Sequence, residues 1–356
     1  MLKTLASVLT VFLLFTASAF AQPFFVYVGN DDDTVSVINT SNNIVVAEVP
    51  VGGSPLGIAV SPDGNFVYVA NTGPDNVSVI DALTSTVVAT ITVGIDPRGI
   101  AVSPDGNFVY VVNSVSDDVS VIDASTNTVV ATVPVGNFPE GVAVSPSGNF
   151  VYVTDGVSNT VSVIDAATNT VVATVPVGNG PLGVAVTPNG SFVYVANRFS
   201  NDVSVIDAPT NIVVATLPVN NLPTGVAITP DGNFVYVANF DSNNVSVIAV
   251  STNTIVDTAP VGSGPYGVAV TPDGNFVYVA NTGSDDVSVI ATSSNTVVAT
   301  VSVGESPFVL GMFIGPQPPI VSDIPTLSEW GMIAAAGGLL LIGVFFGVRR
   351  KKAQTV

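Results

Sequence analysis

A tyrosine recurs at Tyr27, Tyr68, Tyr110, Tyr152, Tyr194, Tyr236 and Tyr278, spaced by 41 residues once and by 42 residues five times after that. The same unit returns around each of them. A chain that repeats one unit at a fixed period must stack or close copies of one supersecondary element. Each copy holds four short β-branched and aromatic runs, as in Phe66 to Ala70, Val77 to Ile80, Val87 to Val93 and Gly99 to Val102. These runs are apolar on both faces, which predicts strands in a sheet covered on both sides. Turn chemistry separates them. Ser-Pro-Asp-Gly-Asn or a close variant starts at Ser61, Ser103, Ser145, Thr187, Thr229 and Thr271. Its proline suits the first central position of a turn, and its glycine can take the left-handed conformation that closes a hairpin. Ile-Asp-Ala recurs at Ile80, Ile122, Ile164 and Ile206, where the aspartate can cap a turn.

A unit of about 42 residues and four strands is a propeller blade. A stacked β-solenoid is the alternative; it has shorter rungs and needs caps at both ends. Named from the axis outward, the strands of a blade are A (Gly99 to Val102), B (the tyrosine strand), C (Val-Ser-Val-Ile) and D (Val-Val-Ala-Thr). After a leader, the chain starts on a B strand at Phe24 to Val28 and ends on an A strand at Phe308 to Ile314. The fold class expected is therefore all-β: a seven-bladed β-propeller of four-stranded blades over residues 22–315, with one blade made of three N-terminal strands and one C-terminal strand. Closing the ring in this way removes open sheet edges.

Residues 1–21 read as a signal peptide, with Lys3, an apolar run from Leu5 to Phe15 and Ala19-Phe20-Ala21 as the small-x-small cleavage pattern. A short N-terminal anchor is the alternative. Gly331 to Val348 is apolar throughout and precedes Arg349-Arg350-Lys351-Lys352. Eighteen residues at ~1.5 Å each reach ~27 Å, enough for a single transmembrane helix. The bases place the C-terminus in the cytoplasm and everything before Trp330 outside. Residues 316–323 form a proline-containing linker, and 324–352 hold the motif, the apolar helix and the basic tail.

Two resemblances follow. The segments Phe66-Val67-Tyr68-Val69-Ala70-Asn71 and Tyr152-Val153-Thr154-Asp155, with Val-Ser-Val-Ile-Asp and Pro-x-Gly-Val-Ala-Val, resemble the YVTN β-propeller repeat of bacterial and archaeal surface-layer proteins. The likeness spans about residues 23–315. It implies the propeller and says little of activity; the Trp-Asp pair of WD40 blades is absent. The run Ile324-Pro325-Thr326-Leu327-Ser328-Glu329-Trp330-Gly331, then an apolar segment and a basic tail, resembles the IPTL-CTERM sorting signal of Gram-negative bacteria. That likeness implies recognition by an exosortase-like membrane enzyme, removal of the tail and delivery to the cell surface. A permanent single-span anchor is the alternative.

Composition removes several chemistries. The 356 residues include no histidine and no cysteine, which excludes a Ser-His-Asp triad, thiolate nucleophiles and zinc-thiolate sites, and leaves haem without its usual ligands. Residues 22–315 carry 24 acids and two bases, so a nucleic-acid partner is not expected.

Comparing the copies with one another locates a site. The A–B and C–D turns repeat almost unchanged. The D–A and B–C loops, on the opposite face, vary. After each loop proline come Leu56, Arg98, Glu140, Leu182, Thr224, Tyr266 and Phe308. Loops on a rigid scaffold carry recognition, and Arg and aromatics dominate contact energies. The ligand-contact candidates are Arg98, Glu140, Arg198, Phe199, Phe240, Asp241 and Tyr266. The same face is acidic, and Asp31, Asp32, Asp33, Asp117, Asp118, Asp285 and Asp286 are candidates for a calcium rim, although no EF-hand spacing is present. The alternative is a solvated acidic face.

No cofactor is required, and calcium is the one candidate. The function expected is a non-catalytic binding or structural scaffold displayed at the surface, with a glycan or protein as ligand. The alternative is a propeller hydrolase, lactonase- or glycosidase-like, that uses the carboxylates of the variable face. The inner strands read Gly-Val-Ala-Val or Gly-Ile-Ala-Val in nearly every copy, with none of the unique polar residues that a catalytic channel needs.

Overall fold

The computed structural model describes residues 24–316. The expected leader with Ala19 and Ala21, the motif Ile324 to Gly331, the apolar segment and the basic tail lie outside the described residues. Twenty-eight strands form seven four-stranded antiparallel sheets. Blade 2 shows the pattern, with A at Pro55–Val60, B at Phe66–Asn71, C at Asn76–Asp81 and D at Thr86–Thr92. Inner strands of successive blades pack against one another.

The turns form as their residues dictate. In the A–B turn of blade 2, Ser61 Oγ donates to Asp63 Oδ1 (2.6 Å) and accepts from the Phe66 N–H (2.9 Å), while Gly64 sits at φ +74°. In the C–D turn, Asp81 Oδ1 accepts from the Thr84 N–H at 2.8 Å. B and C strands supply most of the core, and all seven strand-B tyrosines are buried. Several of them tie blades together. Tyr194 and Tyr236 donate to Asn253 and Asn295 in the C–D turns of the following blades, and Tyr278 of blade 7 donates to Asn43 of blade 1 at 2.6 Å.

Ring closure comes from three N-terminal strands and one C-terminal strand, in the order Ile314–Pro316, Phe24–Asn30, Thr34–Asn39, Ile44–Pro50. The closing strand is displaced from the expected Phe308 to Ile314. Ile314 pairs with Val26 and Pro316 with Phe24, so Pro316 belongs to the sheet rather than to a linker. Phe308 makes only an isolated bridge to Gly29. Between them the chain swings inward at Gly311 (φ +113°) and pairs in parallel with the inner strand of blade 2. The Leu310 N–H donates to Leu56 O (3.0 Å), Ile58 N–H to Leu310 O (2.9 Å) and Val60 N–H to Met312 O (3.1 Å). This last A segment is longer than the others, and the excess is accommodated inside the channel.

The expectation of strands covered on both faces fails for strand D. Val88 is 54% exposed and its counterparts are similarly open. D is the rim of the disc, and no neighbouring blade reaches far enough out to cover it.

Antiparallel order puts the A–B and C–D turns on one face, the turn face, and the D–A and B–C loops on the other, the ring face. Both described ends lie on the turn face. Phe24 pairs with Pro316, which lies against Gly64 of an A–B turn.

Candidate functional site

Each D–A loop delivers a proline that opens the inner strand, and the residue after it takes its place in a ring at one end of the channel. Three blades bring unlike charges together there. Glu140, from the inner strand of blade 4, is 1% exposed. Arg198, from the B–C loop of blade 5, places Nη2 at 2.7 Å from Glu140 Oε1. Arg98, on the inner strand of blade 3, places Nη1 at 3.5 Å from Glu140 Oε2 and Nε at 3.0 Å from Asp96 Oδ2. Arg98 and Arg198 are the only cations of residues 24–316, and both meet the same buried carboxylate.

Aromatic rings hold the guanidinium groups. Arg98 lies over Phe138 at 4.8 Å and Arg198 over Phe199 at 5.0 Å. Phe199 is otherwise open, 65% exposed. Such stacking holds a guanidinium plane while leaving its edge for planar anions. The far side of the ring is apolar. Tyr266 meets Phe308 (4.9 Å) and Phe240 (6.3 Å) edge to face, and Leu182, Tyr266 and Leu310 form a small buried cluster that plugs the channel. Burial pushes the Tyr266 hydroxyl up to about 12, with the Glu140 charge adding to the effect. Arg198 Nε and Glu140 Oε2 are buried without a hydrogen-bond partner.

Of the residues expected to contact a ligand, Arg98, Glu140, Arg198 and Phe199 come together in one cluster, and Phe240 and Tyr266 form the adjoining apolar arc. Asp241 is exposed in its loop, and no hydrogen bond or ion pair ties it to the cluster. Phe138 and Asp96 were missed. Both precede the loop proline, a position that also varies among the copies.

The calcium rim does not assemble. Among the described residues no group of three or more acids is placed to hold a metal ion. These aspartates are used within the fold. Asp33, Asp117 and Asp285 sit at positive φ in the B–C loops and accept backbone N–H bonds from Ser54, Phe138 and Ser306 in the D–A loops that follow. Asp118 and Asp286 accept from the buried amides of Asn113 and Asn281. Asp31 and Asp32 stand exposed, and Asp32 accepts from Thr34.

Below the plug, the channel is a well of about 640 Å³ open at the turn face. Its wall is the repeated inner strand, with Val142, Ala143 and Val144 typical, and its rim is the exposed turn prolines, such as Pro104 and Pro146. No charged side chain lines it.

A closed ring of seven blades with one unique charged cluster defines the class: a seven-bladed propeller with a built ring face. More particularly, the chain belongs to the family described as lactonase, 7-bladed beta-propeller, whose model matches residues 47–132, 142–258 and 210–307. A model of the cytochrome D1 heme domain also matches residues 2–86. The residues do not fit that group, because the chain has no histidine or cysteine to ligate a haem iron and Met312, the one methionine among the described residues, has no such partner beside it. No curated protein matches the chain. Among solved structures it is similar to hydrazine synthase of Kuenenia stuttgartiensis, with 25% identity over 80% of this chain and 99% of that one and a TM-score of 0.68. It is also similar to a functionally unknown protein from Desulfotomaculum acetoxidans DSM 771, at 20% identity over 80% and 99% of the two chains with a TM-score of 0.70, a likeness of fold.

Proposed function

We propose that the protein is an exported, surface-displayed propeller that binds a glycan or protein through its ring face without transforming it. The observation that carries this reading is the meeting of the propeller's only two cations at buried Glu140, on the ring where otherwise repeated blades differ. A carboxylate engaged by two guanidinium groups holds them in place rather than activating water. The Tyr266 hydroxyl, pushed up to about 12, stays protonated at neutral pH and adds no charge to the ring. Export rests on residues 1–21, and surface delivery on residues 324–352 through an exosortase-like enzyme. Intact mass spectrometry of native cell fractions tests the delivery. A surface form ending near Ile324 supports it, and an inner-membrane form retaining Arg349 to Val356 means a permanent anchor.

Binding is tested on a panel of surface glycans and matrix proteins. Removing Arg198 alone leaves buried Glu140 only the longer contact to Arg98 at 3.5 Å, which costs stability toward the ~3–5 kcal/mol of a broken buried pair. The variant of choice is therefore Arg98→Gln with Glu140→Gln and Arg198→Gln, which removes the three charges together. Binding at least tenfold weaker, with melting within a few degrees of the parent, is expected. Unchanged binding removes the assignment.

Family membership favours a second reading, a propeller hydrolase acting on lactones or glycosides. Turnover of a lactone and glycoside panel that disappears in Glu140→Gln or Asp241→Asn would establish it in place of the first.

A further inference from the structure

The well on the turn face has a chemistry of its own. Its volume of about 640 Å³ falls in the range of ligand pockets, roughly 300–1,000 Å³. Its side chains are uncharged and, Ser61 apart, apolar, yet its wall is not chemically inert. In blade 4, Ala143 pairs with Tyr152, and the Ser145 N–H donates to Phe150 O at 2.8 Å. Antiparallel alternation then turns the N–H and C=O groups of Val142 and Val144 away from strand B and toward the channel. Strand A is the edge of its sheet, so no further strand pairs these groups on that side. The same register recurs in blades 5 and 6. An apolar ligand such as an acyl chain would strip water from them and leave them unpaired. A peptide strand would pair them.

The chain itself shows the mode. Across the well, in blade 2, the corresponding groups of Ile58 and Val60 are paired by an extended segment of this protein through Leu310 O and Met312 O. We propose that the well binds an extended, uncharged, apolar peptide segment of four or five residues, which adds as a strand to the open inner edge of one of blades 4 to 6. Five residues of wall, Gly141 to Ser145, span ~13 Å at ~3.3 Å per residue, which suits that length. Main-chain bonds supply the affinity, and the Val and Ala wall excludes charged side chains. This site is separated by the Leu182, Tyr266 and Leu310 plug from the ring cluster, and neither proposal depends on the other.

The probe is acetyl-Val-Leu-Ala-Val-amide, titrated calorimetrically into the full-length chain. Its control is the analogue in which an ester oxygen replaces the central amide N–H. The variant is Met312→Asp. Met312 lines the well and is 75% exposed, so the substitution puts a charge there without disturbing the core. Saturable binding is expected, weakened at least tenfold both by the ester and by Met312→Asp, with the melting temperature of the variant unchanged. Absence of binding up to the solubility limit overturns the proposal. So does equal binding of the ester, which would reduce the well to an apolar pocket, and so does binding that ignores the charge at Met312.

Discussion

Asp155 occupies the place that asparagine holds in the other six blades, at the end of strand B and wholly buried. The asparagines donate to a strand-C serine, as Asn113 does to Ser120 at 2.9 Å. Asp155 reverses the polarity and accepts from Thr160 (2.7 Å) and Ser162 (2.9 Å). Burial raises its carboxyl above the usual range. The folded state then holds the proton more tightly than the unfolded one. Stability from this site is fully present below the unfolded carboxylate's value, about 4, and is lost as pH rises through the raised folded value. Asp155→Asn restores the donor, with Thr160 in the role Thr34 plays for Asn30. The variant should melt higher than the parent at pH 7, and the gap should close toward pH 4. A gap equal at every pH would mean that ionisation is not the cause. The sequence singles out Arg98, Arg198 and Glu140 by residue type and variability. It does not reveal that they meet, because Glu140 and Arg198 stand 58 residues apart on neighbouring blades. The loop aspartates mislead for a related reason. A carboxylate written in a row suggests a ligand set, whereas a left-handed aspartate spends its oxygens on the next loop's amides.

At the scale of the strand, the inner element Pro-x-Gly-Val-Ala-Val is the tightest fit in the fold. A Cβ built on Gly183 falls 2.2 Å from the backbone oxygen of Thr224 in the next blade. The A–B turn glycines differ. Gly106 has φ +75°, and the nearest atom to a Cβ there is 3.7 Å away. Gly183→Ala should therefore lose about 2–3 kcal/mol in urea unfolding, and Gly106→Ala about 1 kcal/mol, from backbone strain alone. Equal losses would show that blades do not meet at Gly183. The hairpins are legible because each turn's residue types match its backbone need. The exposure of strand D is not, since Val-Val-Ala-Thr is equally consistent with a covered strand. Its open edge is broken by a bulge against strand C, as between Val121 and Ile122, and in five blades it ends in a proline such as Pro134. Both features discourage pairing with another sheet.

For the whole molecule, the decisive join lies at its last described residues. Phe313 is fully buried in a cluster shared by strands of blades 7, 1 and 2, and its carbonyl accepts from the Tyr27 N–H at 2.9 Å. Phe313→Ala should lose about 3–5 kcal/mol of global stability, read as a single lowered thermal transition. A melt like the parent's would mean that the ring does not close through this segment. Counting B and A strands predicts which strands close the ring, while the inward swing at Gly311 escapes the count because it departs from the repeat.

Both described ends leave from the turn face, so the disc has a front and a back. A bead or fluorophore attached at Phe24 or Pro316 is attached on the back, the turn face. The arginine ring and the mouth of the well open on opposite faces, so a molecule that binds one does not compete with a molecule that binds the other. Coupled at Phe24 or Pro316 themselves, copies of the disc keep the arginine ring clear of the attachment point, whereas the well shares its face with that point.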